Sequence, residues 1–321
     1  MNYFIITVDT EGDNQWAWKP GMTITTSNTN FIPRFQKLCE KYHFPPVYLS
    51  NYEMISDDDF CGFASEKAKA DLCEIGMHIH AWFSPPEYEL PNRYNGNPFI
   101  TEYPNYILKE KLVFLKHYIE ERVGVTPVSF RSGRWATNEV LFETLDELGF
   151  FVDCSITPGI SNYTDCGMSV EHGNDYTHEI LNIRSLCGNL VEIPMTTKRI
   201  RTFQGVSIKN KARNILLGKD IWLRPAVNSE EEMLLLIKRV EKQKVPYLEF
   251  MIHSTELMPG GSPYTKDEAQ VERLYERMEK IFAYVSKSGY QGITLQDYYE
   301  LIKKPNELLI GCGGQVGERD I

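Results

Sequence analysis

Eight short runs of apolar and β-branched residues recur along the chain, and they restrict its fold more than any other feature of the sequence. Amphipathic helical patterns separate these runs. Strands that alternate with helices are typical of a parallel sheet, because parallel neighbours require a long crossover connection. We therefore predict an α/β fold whose sheet is either closed into a barrel or doubly wound. The predicted strands are Tyr3–Val8, Val47–Ser50, Glu74–His80, Pro127–Arg131, Phe151–Ile156, Leu190–Met195, Tyr247–His253 and Gly292–Leu295.

Two helix starts are marked by capping-box patterns, Ser229-x-x-Glu232 and Thr265-x-x-Glu268. In a capping box, two side chains three residues apart accept hydrogen bonds from backbone N–H groups that the helix itself leaves unpaired. The second helix is predicted to end at Gly289, because glycine readily adopts the left-handed conformation that closes a helix.

No internal repeat or low-complexity linker divides the chain, so we predict one domain over residues 1–321. Two stretches exceed ordinary connectors in length. Residues 82–106 are rich in proline, asparagine and aromatic residues, and a loop of this size in a compact domain is usually functional. The tail from Pro305 is rich in glycine, and we expect it to be partly mobile.

The composition is globular, with 42% hydrophobic and 24% charged residues. The net charge of −10 argues against a nucleic-acid partner, because a phosphate-binding surface requires clustered positive charge. Asp9 ends the first apolar run, which favours a buried strand over a signal peptide, and no run approaches the roughly 18 apolar residues of a membrane span. Seven cysteines without a C-x-x-C pattern indicate neither a disulfide framework nor a thiolate zinc site, so we expect a cytoplasmic protein.

The first chemical cluster is Thr7-Val8-Asp9-Thr10-Glu11-Gly12-Asp13, where the first strand ends. Residues two apart in a strand project to the same face, so Asp9 and Glu11 are predicted to lie side by side. Two neighbouring carboxylates repel each other unless a cation lies between them. Taken alone, the pattern also fits a solvated acidic turn.

The second cluster places His78 and His80 on one face of another strand. Paired imidazoles at this spacing suit zinc, which takes nitrogen and oxygen ligands at roughly 2.0–2.2 Å. Two ordinary histidines remain the alternative for this cluster taken alone.

Two further strands end in residues that suit the same site, Arg131 and His253. An arginine at such a position can hold a carboxylate through two hydrogen bonds, although it often serves only as a structural ion pair. The carboxyl ends of parallel strands share one face of a barrel or open sheet, where active sites are built. The coincidence of four clusters therefore predicts one site that contains Asp9, Glu11, His78, His80, Arg131 and His253.

The ordered segments TVDTEGD, EIGMHIHAW, FRSGRW, VDCSITPG and MIHSTELMPGG resemble the five motifs of the polysaccharide deacetylase superfamily, the chitin-deacetylase-like carbohydrate esterases. They look most similar to a subgroup associated with bacterial surface-polysaccharide gene clusters. The resemblance implies a distorted (β/α) barrel with seven or eight parallel strands. It also implies removal of an N-acetyl group from a sugar of a surface glycan or of its nucleotide- or lipid-linked precursor.

The resemblance further implies a role for each matching residue. It makes Asp9 the catalytic base, oriented by Arg131, and His253 the catalytic acid, paired with Asp153. It implies one divalent ion, for which we expect zinc, held by Glu11, His78 and His80. The D-x-E spacing leaves open whether Asp13 replaces or joins Glu11 as a ligand.

Three further residues, Trp82, Arg134 and Trp135, are predicted to bind substrate, the two tryptophans by stacking on sugar rings. Each tryptophan fits equally well as an ordinary core or loop anchor. Two other functions remain open. The same site could remove a formyl group, or the barrel could be a catalytically silent sugar-binding protein.

The segment 198–224 stands apart from the acidic remainder of the chain. It carries eight basic residues against one acid, together with several apolar residues. Basic and apolar side chains together suit a lipid-phosphate surface. We interpret it as an insertion that contacts the phosphates of a nucleotide- or lipid-linked sugar and could bring the protein to the inner membrane surface, with a solvated basic face as the alternative.

Overall fold

The computed structural model describes residues 2–13, 15–17, 22–203 and 207–303, so the predicted tail from residue 305 lies outside the described residues. Nine of its strands form one sheet, and two form a separate hairpin. The strands are β1 (Asn2–Thr10), β2 (Pro46–Ser50), β3 (Glu74–Ile79), β4 (Ser129–Ser132), β5 (Val152–Asp153), β6 (Arg184–Cys187), β7 (Leu190–Glu192), β8 (Thr197–Ile200), β9 (Lys219–Trp222), β10 (Tyr247–His253) and β11 (Tyr290–Gly292).

The large sheet curls into a distorted barrel, as predicted. Seven parallel strands follow one another in the order β10-β1-β2-β3-β4-β5-β7. Strand β6 is added antiparallel beside β7, and β11 runs parallel to the first residues of β1. The sequence did not predict β6, β8 or β9.

Two residues outside the large sheet bridge the gap between β7 and β10. Thr196 follows β7, and its hydroxyl accepts a hydrogen bond from the backbone N–H of Glu249 at 2.8 Å. Leu223 follows β9, and its carbonyl accepts from the N–H of Met251 at 3.1 Å. Leu223 also donates to the Thr196 carbonyl at 3.0 Å. These bonds satisfy backbone groups along the open edge of β10, which would otherwise be costly to bury.

Helices cover the outer face of the barrel, since each crossover between parallel strands must pack an apolar face on the sheet. The helices described are α1 (Ile32–Tyr42), α2 (Tyr52–Ile55), α3 (Asp58–Lys69), α4 (Asn105–Val123), α5 (Glu139–Glu147), α6 (Ile208–Leu217), α7 (Glu230–Lys242), α8 (Glu268–Lys287) and α9 (Leu295–Lys303). Two of them do not belong to the outer layer, because α6 connects β8 to β9 and α9 packs on the barrel interior. None of the helices described is both long and apolar enough to cross a membrane.

The predicted capping box at Ser229 is confirmed, because Ser229 and Glu232 exchange the expected hydrogen bonds at the start of α7. The one predicted at Thr265 is wrong. Helix α8 is capped instead by Asp267, whose side chain accepts from the N–H of Gln270. The Thr265 hydroxyl is 2.8 Å from that of Ser262, within the preceding turn.

The last predicted strand is displaced along the chain. The sequence predicts Gly292–Leu295, whereas β11 spans Tyr290–Gly292 and α9 begins at Leu295. Thr294 explains the difference, because its hydroxyl accepts from the N–H of Asp297 at 3.1 Å and so favours a helix start.

Alternation along β1 separates the barrel interior from the helical layer. Phe4, Ile6 and Val8 belong to the core beneath the helices, whereas Ile5 packs inside with residues of β2, β5 and β7. Tyr298 of α9 joins this interior cluster and plugs the barrel beneath Ile5. By the same period of two, Thr7 and Asp9 face the interior above Ile5. The apolar plug therefore lies at one end and the polar residues at the other.

We predict that Gly76→Ala lowers the free energy of unfolding by about 1–3 kcal/mol, the usual cost of overpacking a well-packed core. In β3, an added Cβ would lie 2.6 Å from Leu49 Cδ2, 2.9 Å from the Ser129 carbonyl oxygen and closer still to the Ser129 hydroxyl. Gly62→Ala is the control, because Gly62 is exposed in α3 and its Cβ would meet nothing within 4 Å. It should stabilise the protein by about 0.5–1 kcal/mol. Equal shifts of both variants in guanidinium unfolding would contradict this account of β3.

Candidate active site

Strand register brings the predicted site residues together at the carboxyl end of the barrel. Asp9 lies directly beside His253 in the β1–β10 pair, and His78 lies beside Arg131 in the β3–β4 pair. His80 follows immediately after β3 and turns its ring toward Glu11. The structure therefore brings these strand ends together at one face of the barrel.

Glu11, His78 and His80 present three ligand atoms to a common point, all within 4.8 Å of one another. The two Nε2 atoms are 3.0 Å apart, and Glu11 Oε2 lies 2.9 Å from His80 Nε2 and 3.8 Å from His78 Nε2. Donors bound to one tetrahedral ion at about 2.05 Å lie roughly 3.3 Å apart. The donor set and its spacing therefore fit a divalent ion such as zinc.

The outer nitrogen of His78 fixes how that ring is presented, whereas His80 is placed by its surroundings. His78 Nδ1 is 2.9 Å from the Arg131 carbonyl oxygen, to which it donates, so that the Nε2 lone pair faces the site. Burial lowers the pKa of His80, which keeps its ring neutral and able to bind a metal. A Cβ on Gly133 would lie 3.1 Å from His80 Nδ1 and closer still to the Ile79 carbonyl, so a residue without a side chain is required there.

The backbone of Glu11 is fixed from the side of the neighbouring strand β10. Its N–H donates to the Ser254 hydroxyl at 3.0 Å, and the buried Asn28 amide donates to the Glu11 carbonyl at 2.8 Å. Asn28 also donates to the same hydroxyl at 2.8 Å. The carboxylate that completes the ligand set is therefore held by a turn after β10 as well as by its own strand.

Arg131 is fully buried beneath the ligand set and is the central cation of the site. Its Nη1 donates to Asp9 Oδ1 at 2.6 Å, and its Nη2 donates to the Thr7 hydroxyl at 3.0 Å and to Glu249. Its Nε donates to the Cys154 carbonyl at 3.0 Å. The guanidinium thus ties β1, β4 and β10 together with the end of β5.

The pKa values of Asp9 and Glu11 are set by burial and by the side chains around them. Burial by itself would raise the pKa of Asp9, but the Arg131 guanidinium lowers it below the ordinary value. Burial would also raise the pKa of Glu11. The interactions with His253, His78 and His80 outweigh burial and lower this pKa below the ordinary value. Both acids are therefore ionised near neutral pH.

His253 faces Asp9 and Glu11 with one edge of its ring and a different acid with the other. Its Nε2 is 3.7 Å from Asp9 Oδ2 and 3.9 Å from Glu11 Oε1. Its Nδ1 lies 3.5 Å from Glu256 Oε1. Glu256 is fully buried and also bonded to Arg224.

The expected pairing of Asp153 with His253 is corrected by this geometry. Asp153 accepts a hydrogen bond from the Ser155 hydroxyl at 2.7 Å and lies beside Glu192 in the β5–β7 register. Because the two acids are neighbours in a parallel ladder, their side chains share one buried space. The acid that faces Nδ1 of His253 is Glu256, which lies three residues after the histidine in the chain.

Asp13 is likewise placed away from the ligand set. Its carboxylate accepts from the Thr25 hydroxyl, and its N–H donates to the Thr25 carbonyl at 2.9 Å. Among the residues described, the three ligand atoms that converge come from Glu11, His78 and His80. The alternative in which Asp13 replaces or joins Glu11 therefore has no geometric support.

A cavity of about 360 Å³ opens above these residues. Five aromatic side chains, four Trp and one Tyr, line it among polar and charged residues. The three residues predicted to bind substrate all contribute to it. The lining comprises Asp9, Glu11, Gln15, Trp16, His78, His80, Trp82, Asn97, Ser132, Arg134, Trp135, Asn162, Asp165, Trp222, Arg224, His253 and Tyr264.

Trp82 and Trp135 form parts of the wall next to the charged residues. The Trp82 ring lies 4.5 Å from that of His80, and the Trp135 ring lies 5.3 Å from the Arg131 guanidinium carbon. Trp135 also contacts Trp222, with the ring centres 5.4 Å apart. Each tryptophan thus supports the site and borders the cavity.

Arg134 lines the cavity and also connects two loops. Its guanidinium donates to the carbonyls of Asn97 and Cys166 and so joins the loop after β3 to the loop after β5. Arg134 and Trp135 both adopt left-handed backbone conformations, with φ of 57° and 59°. Such conformations cost about 1–3 kcal/mol per residue and concentrate at functional sites.

Sequence reasoning overlooked Glu249 and Glu256 as members of the site. Glu249 shares a strand face with His253, four residues away, so the period of two used for Asp9 and Glu11 could have identified it. Glu256 stands at the third position of the turn that follows His253, where an acid commonly caps the backbone. The side chains of Trp16, Trp222 and Tyr264 had no comparable signal, because they reach the cavity from three separate segments, of which only that of Trp222, β9, is a strand.

The basic segment 198–224 forms β8, α6 and β9 and divides into separate parts. Arg199 pairs with Asp220 at 2.8 Å, and Lys219 pairs with Glu232 at 2.5 Å. Arg224 belongs to the active site. The basic residues of α6, namely Lys209, Lys211 and Arg213, are exposed.

No protein-family model and no curated protein matches the chain. Solved structures do. The chain is similar to a candidate polysaccharide deacetylase from Mycobacterium smegmatis, with 13% identity over 100% of this chain and 96% of that chain and a TM-score of 0.52. At this identity the likeness concerns the fold, and it agrees with the barrel implied by the sequence motifs.

Two other solved structures are more distant. A family 4 acetyl xylan esterase from Clostridium thermocellum, in complex with a cobalt ion, is 12% identical over 94% of this chain and 93% of that chain, with a TM-score of 0.47. BA3943, a family 4 pseudoenzyme from Bacillus anthracis, is 11% identical over 93% and 65% of the two chains, with a TM-score of 0.45.

We predict that the purified protein binds about one zinc ion per chain and that His78→Ala combined with His80→Ala abolishes this binding, because two of three ligands are lost. Zinc titration by calorimetry and metal analysis after dialysis are the measurements. His117→Ala is the control, since His117 is exposed on α4 and pairs with Glu120 at 2.9 Å. Full zinc occupancy in the double variant would refute the ligand assignment.

Proposed function

We propose that this protein is a metal-dependent hydrolase that removes an N-acetyl group from a sugar of a bacterial surface glycan or its precursor. The observation that carries the proposal is the position of Asp9 and His253 beside the Glu11, His78 and His80 set, on the floor of one cavity. A carboxylate, an imidazole and a metal site together suit hydrolysis of an amide.

A divalent ion bound by the three ligands would polarise the acetyl carbonyl and lower the pKa of a water molecule. Asp9, kept ionised by Arg131, would accept the proton of the attacking water. The water oxygen bonds to the acetyl carbon, and the carbon–nitrogen bond then breaks. His253, in its protonated form, would donate a proton to the departing sugar amine.

The cavity walls suit a sugar ring. Aromatic side chains pack against the apolar faces of sugars, and Trp82, Trp135 and Trp222 border the cavity on the side of His80 and Arg131. Asn97 and Asn162 supply amide groups that can bind hydroxyls. A volume of about 360 Å³ lies in the range of small-molecule sites.

Removal of a formyl group is the nearest alternative, because the same residues would cleave either amide. Incubation with N-acetylated and N-formylated amino sugars, free and UDP-linked, followed by acetate and formate analysis, separates the two reactions. A catalytically silent sugar-binding protein would release neither acid while still binding the sugars.

We predict that Asp9→Asn and His253→Ala each lower kcat by about 100-fold or more, the usual contribution of a positioned acid or base. Both variants should keep their zinc. Asp13→Asn, in the same motif but bonded to Thr25, is the matched control and should retain both activity and zinc.

Acetate release and zinc content must be measured on the same preparations, so that a role in catalysis can be separated from a role in metal binding. Near-normal turnover in Asp9→Asn or His253→Ala would show that the assigned role is wrong. Loss of zinc from Asp9→Asn would instead make Asp9 a ligand.

We further propose that the substrate carries a phosphate that α6 attracts. Lys209, Lys211 and Arg213 are exposed on this helix, and Leu216 is exposed among them. The β8–β9 hairpin joins α6 to the cavity, because Ile200 and Lys219 pair at the helix end and Trp222 at the other end lines the cavity. Three residue steps of strand, about 10 Å, separate the two ends.

We predict that changing Lys209, Lys211 and Arg213 together to Ser raises KM for a UDP-linked N-acetylated sugar and flattens its salt dependence, since exposed charges are screened within about 8 Å at physiological ionic strength. The kcat for the free sugar should not change. Changing Lys238, Arg239 and Lys242 on α7 to Ser removes the same charge from another surface and is the control. Equal effects of the two triple variants on KM and on its salt dependence would show that the basic residues of α6 form only a solvated face.

A further inference from the structure

Glu256 contacts both the backbone and the ring of His253. The 3₁₀ turn Ser254–Leu257 begins directly after β10, so Glu256 lies three residues beyond His253 and points back toward it. Its Oε2 accepts from the His253 N–H at 3.2 Å, and its Oε1 lies 3.5 Å from the ring Nδ1. A single carboxylate thus holds the strand end and faces the imidazole.

Arg224 holds this carboxylate in place. Its Nε donates to Glu256 Oε1 at 3.2 Å, and its Nη2 donates to the same oxygen. Burial would raise the pKa of Glu256, but Arg224 lowers it, so the acid is ionised. The Arg224 guanidinium carbon is in turn 5.3 Å from the ring centre of Tyr264 and 5.8 Å from that of Trp16.

Trp16 restricts the ring of His253 from a third direction. The two ring centres are 5.1 Å apart, in an edge-to-face arrangement. The indole N–H of Trp16 donates to the Thr255 hydroxyl at 3.0 Å, within the same turn that carries Glu256. His253 is therefore held between an aromatic edge and a fixed carboxylate.

Asp153 is occupied elsewhere. One oxygen of the Asp153 carboxylate accepts from the Ser155 hydroxyl, and the other accepts from the Ser155 N–H at 3.2 Å. Burial raises the pKa of Asp153 and that of its neighbour Glu192, so the charged form of both acids is disfavoured. A carboxyl pair of this kind offers little negative charge to a distant imidazole.

We propose that Glu256, fixed by Arg224, is the positioning residue of His253. It holds Nδ1–H toward its own carboxylate and leaves Nε2 to face Asp9, Glu11 and the substrate. The nitrogen of a histidine that carries the proton is set by the hydrogen bond that the other nitrogen makes. The catalytic consequence rests on the proposed function, whereas the orientation of the ring does not.

The test combines ring ¹⁵N NMR of histidine-labelled protein with kinetics. At a pH where the ring is neutral, the single proton of His253 should lie on Nδ1 in the wild type. Glu256→Gln removes the negative charge opposite Nδ1, while two carboxylates still face Nε2, so the His253 signals should shift toward those of the other tautomer. Asp153→Asn should leave them unchanged. The reverse pattern, or no change in Glu256→Gln, would overturn the proposal.

With an N-acetylated sugar, Glu256→Gln should lower kcat by about 10- to 100-fold without changing KM, as expected for a partner that orients a functional histidine. If Glu256→Gln changes the tautomer of His253 but leaves kcat unchanged, the proposed effect of Glu256 on catalysis is wrong. If Glu256→Gln does not fold because Arg224 is left unpaired, the double variant Arg224→Gln with Glu256→Gln removes both charges and takes its place. Absence of acid release from the wild type would refute the proposed function, while the NMR result would still decide the orientation of His253.

Discussion

The buried guanidinium of Arg131 is the interaction on which the rest of the site depends. A charge removed from water is costly unless it is paired and all its donors are satisfied. Arg131 meets this condition through Asp9, Glu249, Thr7 and the Cys154 carbonyl. These partners come from three strand regions, β1, β10 and the end of β5, so the charge can be buried only when the barrel is correctly assembled. Folding and formation of the site are therefore one event at this position.

The same residue links Asp9, the proposed catalytic base, to the Glu11, His78 and His80 set. Its side chain keeps Asp9 ionised, while its backbone carbonyl orients His78. A small shift of β4 would consequently disturb the charge of Asp9 and the direction of His78 together. Partners of this kind matter for metal affinity nearly as much as the ligands do. The ring of Trp135, 5.3 Å from the guanidinium carbon, closes the network on the cavity side.

Much of this arrangement could be predicted from the sequence, because it follows from local periodicity and from the geometry of parallel sheets. The period of two placed Asp9 with Glu11 and His78 with His80, and the shared edge of parallel strands brought the clusters together. The Asp153 pairing could not be predicted in this way, since it depends on which strand lies next to β5. That neighbour is β7, which aligns Asp153 with Glu192.

The other errors have equally local causes. A strand was predicted where Thr294 begins a helix, and a capping box was predicted at Thr265 where Asp267 competes for the same role two residues later. The cavity walls lie furthest from any sequence signal. They are assembled from loops whose relative positions are set by contacts such as those of Arg134 with Asn97 and Cys166. No periodicity encodes these contacts.

The two carboxylates that share Arg131 show how the fold favours function over stability. Burial raises the pKa of Glu249 from 4.5 to about 7, although Arg131 opposes this shift, whereas the pKa of Asp9 is lowered. A raised pKa means that the folded protein holds a proton that the unfolded chain has lost, so Glu249 reduces stability as the pH rises between these values. Asp9 acts in the opposite sense, because its ionised form is favoured by folding. One guanidinium cannot fully neutralise two buried acids, and here it neutralises the one that borders the cavity. Glu249 lies deeper in the barrel, where burial disfavours its ionised form. Its hydrogen bond with Arg131 helps to hold the guanidinium against Asp9.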